Sequence, residues 1–217
     1  MPARKKSAPE TTNESDEEER ARRDRILDVA IRLAEEGGFE NVRQRDVAEQ
    51  AGVALGTLYK SFRGKEDLLS AALGRETEVL ERRLDKRPPS GASSLSRVTE
   101  FFEMLTRTLC KKPNYARAII KAMASGEPEA TANIVAYQAQ IYRMIITAMR
   151  GPDHPHADAA PTEDELAVAL LLQQIWFAAL VGWSAKLHGI PRVIEQVGVA
   201  ARLLLAALAV EQRARVS

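Results

Sequence analysis

Apolar residues recur along this chain at intervals of three and four, the spacing that lines one face of an α-helix. No segment alternates apolar and polar residues in the manner of a half-buried strand, and β-branched clusters are few. The pattern predicts an all-α protein of about nine helices. The first carries Ile26, Ala30 and Leu33 on one stripe and ends at Gly37-Gly38. Its start is expected at Ser15, where Ser15 and Glu18 have the spacing of a capping box and acidic residues suit the positive end of the helix dipole. Residues 1–14 are polar and expected to be disordered. Two short helices follow at about 44–51 and 54–61, parted by Gly52, which is expected to supply a positive φ. A fourth helix, from Gly64 to about Leu84, carries Leu68, Leu69, Ala72, Leu73 and Leu80.

The stretch 86–91, KRPPSG, stops that helix, because paired prolines and a glycine cannot continue it. The expected organisation is therefore residues 15–63 as one domain, 64–85 as a connecting helix and 86–217 as a second domain. Helices are predicted at 94–111, 114–124 and 129–149, broken by Pro113 and by 126–128. Residues 151–161 read as a loop. Thr162 and Glu165 form a second capping box. It opens a helix at 163–188 that is apolar on every side. Gly189-Ile190-Pro191 ends it, and a last helix to about Val210 spaces Val193, Val197, Ala200, Leu204 and Leu208 helically.

The run at 166–187 is long enough to cross a bilayer. Gln173 and Gln174 sit at its centre and no basic flank sets an orientation, so burial in protein is the expected reading. One face would then lie in its own core and another against a second copy of the chain. A membrane-associated or lipid-carrying helical protein is the alternative.

Net charge is +1, so only the distribution of charge can point to a polyanion. Between Arg20 and Lys65 there are ten Lys or Arg against seven Asp or Glu, a local excess of +3. Cys110 is the one cysteine, which excludes an internal disulfide and suits a reducing cytoplasm. The N-terminus has cations but no apolar core of a secretory signal. His154 and His156 flank Pro155, but no third ligand lies near, so no metal is expected. No nucleophile–base constellation is visible among His154, His156 and His188. The chain is read as a non-enzyme without a cofactor.

Two short helices joined by a glycine turn make a helix-turn-helix, which longer neighbours must brace. The third helix turns Leu58 and Phe62 inward. Its other face offers Leu55, Gly56, Thr57, Tyr59, Lys60 and Ser61, groups that suit phosphate and base edges in a major groove.

The segments RILDVAIRLAEEGGFENV, RDVAEQAGVALGTLYKSF and GKEDLL resemble the DNA-binding domain of the TetR family of bacterial transcriptional regulators. The resemblance implies a ligand-responsive regulator, a repressor released from a palindromic double-stranded operator, acting in the bacterial cytoplasm on the nucleoid. By position, Arg45 corresponds to a base or phosphate contact. Leu55, Gly56 and Thr57 match the leading end of the recognition helix, Tyr59 and Lys60 its phosphate-binding pair, and Lys65 a phosphate contact opening the fourth helix. Arg43 and Ala54 depart from the family, standing where relatives carry Ser or Thr caps; Arg43 can contact phosphate instead.

The resemblance also implies a homodimer joined through the last two helices, with Trp183, Leu187, Val197, Leu204 and Leu208 as its expected contacts. It implies an effector within the C-terminal helices. The expected pocket residues are Phe101, Phe102, Leu105, Met123, Tyr137, Ile141, Met144, Gln173, Trp176 and Phe177. Short runs at 70–76 and 161–165 are similar to mycobacterial regulators of cholesterol and lipid breakdown within the family. They favour a hydrophobic effector of lipid, sterol or acyl-CoA type. The fourth helix is expected to be the single link between pocket and DNA reader.

Overall fold

A computed structural model describes residues 11–152 and 159–216. Among these, nine α-helices and two 3-10 turns account for all regular structure. They are α1 (Thr11–Gly37), α2 (Gln44–Ala51), α3 (Leu55–Ser61), α4 (Lys65–Lys86), α5 (Ser94–Leu109), α6 (Pro113–Ala124), α7 (Thr131–Arg150), α8 (Glu163–Ser184) and α9 (Ile190–Val216). The 3-10 turns are Phe39–Asn41 and Pro128–Ala130.

α1 starts at Thr11, four residues before the expected cap, so Ser15 lies inside the helix. Gly38 and Gly52 take the left-handed φ of 73° and 66° that ends α1 and α2, a conformation that suits a residue without Cβ. α2 and α3 have extended Arg43 and Ala54 as N-caps, and neither side chain caps its helix. With so little local support, both helices rely on packing. Val47, Leu58 and Phe62 are fully buried against Ile26 and Leu27 of α1 and Leu68 and Leu69 of α4. Gln44 Nε2 donates to the Phe62 carbonyl at 3.0 Å, and the Arg23 guanidinium lies 4.6 Å from the Phe62 ring centre.

The C-terminal helices pack around Phe101, Phe102 and Trp176. Phe102 lies edge-on to Phe101 and tilted against Trp176, and Trp176 Nε1 donates to Thr106 Oγ1 at 2.9 Å. The predicted capping box at Thr162–Glu165 forms, and a second one forms at Ser93–Ser96. The corner between α7 and α8 is pinned electrostatically. Arg97 donates to the carbonyls of Ala148, Met149 and Arg150 that α7 leaves unpaired at its end. Arg150 forms a two-pronged pair with buried Glu165. Cys110 is buried, and burial pushes its thiol up to about 11, so it is no thiolate nucleophile at neutral pH.

α8 is apolar all round, and its buried side packs on α9, α7 and α6. It ends at Ser184, short of the expected 188, and Leu187 is fully exposed beyond it. The most apolar 18-residue stretches of α8 and α9 have similar mean hydropathy, 1.8 and 1.9. Only 17% of that stretch of α9 is buried, against 44% of that of α8, so α9 carries the larger uncovered face.

Candidate DNA interface and effector cleft

The helix-turn-helix presents the expected face. Arg43, Arg45, Leu55, Gly56, Tyr59 and Lys60 are exposed, and Thr57 is half-buried. Tyr59 is half exposed while Leu58, its neighbour, is wholly buried; α3 thus has a packed side and a free side. A Cβ on Gly56 would meet nothing within 4 Å in the protein. The glycine is therefore not required by internal packing. Lys65 departs from the picture of a free phosphate contact. Its ammonium pairs with Glu40 at 3.2 Å and lies 3.9 Å from the Phe39 ring centre.

The expected effector residues belong mostly to the packed core. Phe101, Phe102, Leu105, Tyr137, Ile141, Met144, Gln173 and Trp176 are buried, and Met123 and Phe177 are half-buried against the same core. They interdigitate as ordinary packing, with the Trp176 N–H satisfied by Thr106. Leu105 and Tyr137 also border open clefts. Leu105 lines a cleft of about 650 Å³ between α1, α4, α5 and the start of α6. Tyr137 lines another of about 690 Å³ between α1, α4 and α7.

The first cleft has an apolar wall of Leu73, Leu80, Leu105 and Leu109 and a polar wall that includes Asp28, Arg75, Glu76 and Lys112. Tyr115 also lines it. Its hydroxyl is buried and closes no hydrogen bond of normal length and angle, although the Glu76 carboxylate stands beside it as an acceptor. Burial first, and the nearby Glu76 charge second, push its pKa well up, so it stays a neutral donor.

The expectation that α4 alone joins pocket and reader is corrected by the contacts of α6. Glu35, near the end of α1, accepts from the backbone N–H groups of Asn114 and Tyr115 at 3.1 and 3.0 Å, capping α6 from the other domain. Asn114 Nδ2 donates back to the Glu35 carbonyl at 2.9 Å. Lys121 of α6 pairs with Glu40 at 2.6 Å. α4 itself is tied to α1 by Arg75, which pairs with Asp24 and Asp28. No sequence motif announced Glu35, Glu40, Arg75 or Lys121, since their partners lie up to 81 residues away.

The expected dimer contacts divide. Trp183, Val197 and Leu208 are packed inside the subunit, Trp183 beneath the Arg117 guanidinium, so they are core residues first. Leu204 is half-buried and Leu187 exposed. The exposed apolar side chains of the two helices are instead Leu166, Leu170, Leu171 and Val181 on α8 and Val199, Leu203 and Val210 on α9. His154 and His156 lie outside the described residues.

A family model described as "Bacterial regulatory proteins, tetR family" matches residues 26–72. One described as "Tetracyclin repressor-like, C-terminal domain" matches residues 91–204. The HTH-type transcriptional repressor KstR of Rhodococcus jostii is 35% identical over 187 residues, covering 86% of this chain and 84% of that one. The KstR repressor of Mycobacterium tuberculosis is 32% identical over 189 residues, covering 87% and 83%. The crystal structure of a TetR transcriptional regulator from a Rhodococcus species superposes with a TM-score of 0.77 at 28% identity, covering 87% of this chain and 97% of that one. The membrane alternative finds no support in these relatives, all of which are transcriptional regulators. The chain belongs to the TetR family of bacterial regulatory proteins and is a DNA-binding transcriptional regulator.

Proposed function

We propose that the protein is a homodimeric cytoplasmic repressor that sits on a near-palindromic operator and leaves it when a hydrophobic small molecule binds. The observation that carries the DNA half is the two-sided α3: Leu58 is sealed in the core while Leu55, Gly56, Tyr59 and Lys60 stand free. Arg43, Arg45, Tyr59, Lys60 and Lys65 fix the helix on phosphate, and Leu55, Gly56 and Thr57 meet base edges. Two copies, joined through the exposed apolar faces of α8 and α9, place two recognition helices in successive major grooves.

The effector half rests on the cleft at Tyr115. Its leucine wall and its charged wall suit a ligand with an apolar body and one polar end, as in a lipid or sterol acid or its thioester. Removing apolar ligand surface from water yields about 25 cal/mol per Å². A coupling of about 1–3 kcal/mol between sites needs only a small part of that.

The test begins with a duplex selected by the protein from a random-sequence pool. Lys60→Ala is expected to weaken binding to many sequences and to lower the salt slope by about one. The complex is then titrated with steroids, steroid acids, fatty acids and their CoA esters. Release by a member of that panel supports the reading. Release only by small charged metabolites refutes the hydrophobic effector, and an unchanged salt slope for Lys60→Ala refutes the DNA assignment.

A further inference from the structure

Glu40 holds two lysines from two different parts of the protein. Its Oε2 accepts from Lys65, the first residue of α4, and its Oε1 accepts from Lys121 of α6. The same two ammonium groups lie 3.9 and 4.6 Å from the centre of the neighbouring Phe39 ring. Lys65 belongs to the DNA reader, whereas Lys121 sits in the segment matched by the C-terminal family model. We propose that Glu40 and Lys121 are positioning residues for the phosphate contact of Lys65, and that Lys121 releases Lys65 for DNA. The proposal rests on the reading of Lys65 as a DNA contact.

Two lysines and one carboxylate leave a surplus of one positive charge. Lys65 can then turn to a phosphate while Lys121 keeps Glu40 paired. Without Lys121 the cluster is neutral, and moving Lys65 to DNA strands a carboxylate beside a polyanion. Glu40 then competes with phosphate for the one lysine left. A movement of α6 that withdraws Lys121 therefore lowers DNA affinity without any movement of α3. The three side chains are accessible rather than core groups, so substitutions here leave the fold intact.

The experiment measures binding of the selected duplex at several salt concentrations for the wild type, Lys121→Ala, Glu40→Gln and the double variant, with Lys65→Ala as the reference. Lys121→Ala is expected to weaken binding about three-fold when Glu40 is present and by much less in the Glu40→Gln background, the non-additivity of a shared ion pair. Lys65→Ala is expected to lower the salt slope by about one, and Lys121→Ala to lower it only when Glu40 is present. Equal effects of Lys121→Ala in both backgrounds would show that Lys121 acts on DNA by itself and would overturn the relay while leaving the Lys65 contact intact. An unchanged salt slope in Lys65→Ala would overturn both the contact and the relay built on it, but not the wider reading of the regulator, which Lys60→Ala tests separately.

Discussion

Replacing Glu165 with Gln removes one buried charge at nearly constant size. In the folded protein Oε1 accepts from Arg150 Nε at 2.8 Å, and Oε2 accepts from Arg150 Nη2 and from the Thr162 N–H, each at 2.8 Å. Both side chains of the pair are less than a tenth exposed. The Arg150 guanidinium, helped by the Thr162 N–H and against the cost of burial, brings the carboxyl from 4.5 down to about 2. A depression of that size corresponds to about 3 kcal/mol in favour of the folded state at neutral pH. The unfolded carboxyl titrates near 4.5 and the folded one near 2. The contribution is therefore complete above pH 4.5, shrinks as pH falls through the interval and is gone near pH 2. Arg150 keeps the carbonyls of Ala159 and Ala160 in the variant, which holds the cost below that of a fully stranded buried charge. Glu165→Gln is expected to lower the melting temperature at pH 7 by about 5–10 °C for a chain of this size. Circular dichroism melts at one fixed subunit concentration, from pH 7 to pH 3, would show the gap between wild type and variant closing below pH 4.5. A gap that is constant with pH, or absent at pH 7, refutes the assignment of this stability to the Arg150–Glu165 pair.

Leu203→Glu places a charge on the exposed face of α9 and should yield a folded monomer by sedimentation, whereas Val197→Glu, in the core, should unfold the chain at a cost of several kcal/mol; a dimeric Leu203→Glu protein would move the interface elsewhere. Tyr115→Phe deletes a buried hydroxyl that stands beside Glu76, so thermal stability should change by no more than about 1 kcal/mol, while the effector concentration needed for operator release should increase; an unchanged effector response removes Tyr115 from the ligand site.

The elements that were legible in the sequence are those whose signal is local. α2 falls at the expected residues because Gly52 marks its end and Val47, Ala48 and Ala51 mark its face. The Thr162–Glu165 box was readable because its Glu stands at the usual spacing, whereas the Ser93–Ser96 box uses a serine in the place of that Glu and gave no motif to find. At the start of α1 the local signal misled, since a helix continued through Ser15 to Thr11. The exposed side of α3 followed from two inward residues, Leu58 and Phe62, and needed no knowledge of the partner helices. α8 and α9 defeated the same reasoning. A helix apolar all round has no stripe that distinguishes its own core from a second subunit, so Trp183, Val197 and Leu208 turn inward where contact with a partner was expected.

The proposed effector cleft was illegible for a related reason. Aromatic and methionine side chains in adjacent helices have the same composition whether they enclose space or fill it. Here they belong to the packed core, and a cleft lies at the edge, where Leu105 and Tyr115 meet charged residues of α1 and α4. A ligand in a sealed C-terminal core would reach the reader through α4 and α6, both of which contact α1. A ligand in the cleft touches Arg75, which ties α4 to α1, and Tyr115, whose backbone N–H is held by Glu35 of α1. Both arms of the cleft thus end on the first helix of the reader. The buried side chains of α2 and α3 share one core with α1 and α4, so displacing either arm would disturb the support of the reader. Long-range ion pairs such as Arg75–Asp28 and Lys121–Glu40 leave no periodic trace in a sequence, and in the proposed regulator they are part of the contact through which effector binding would reach the DNA.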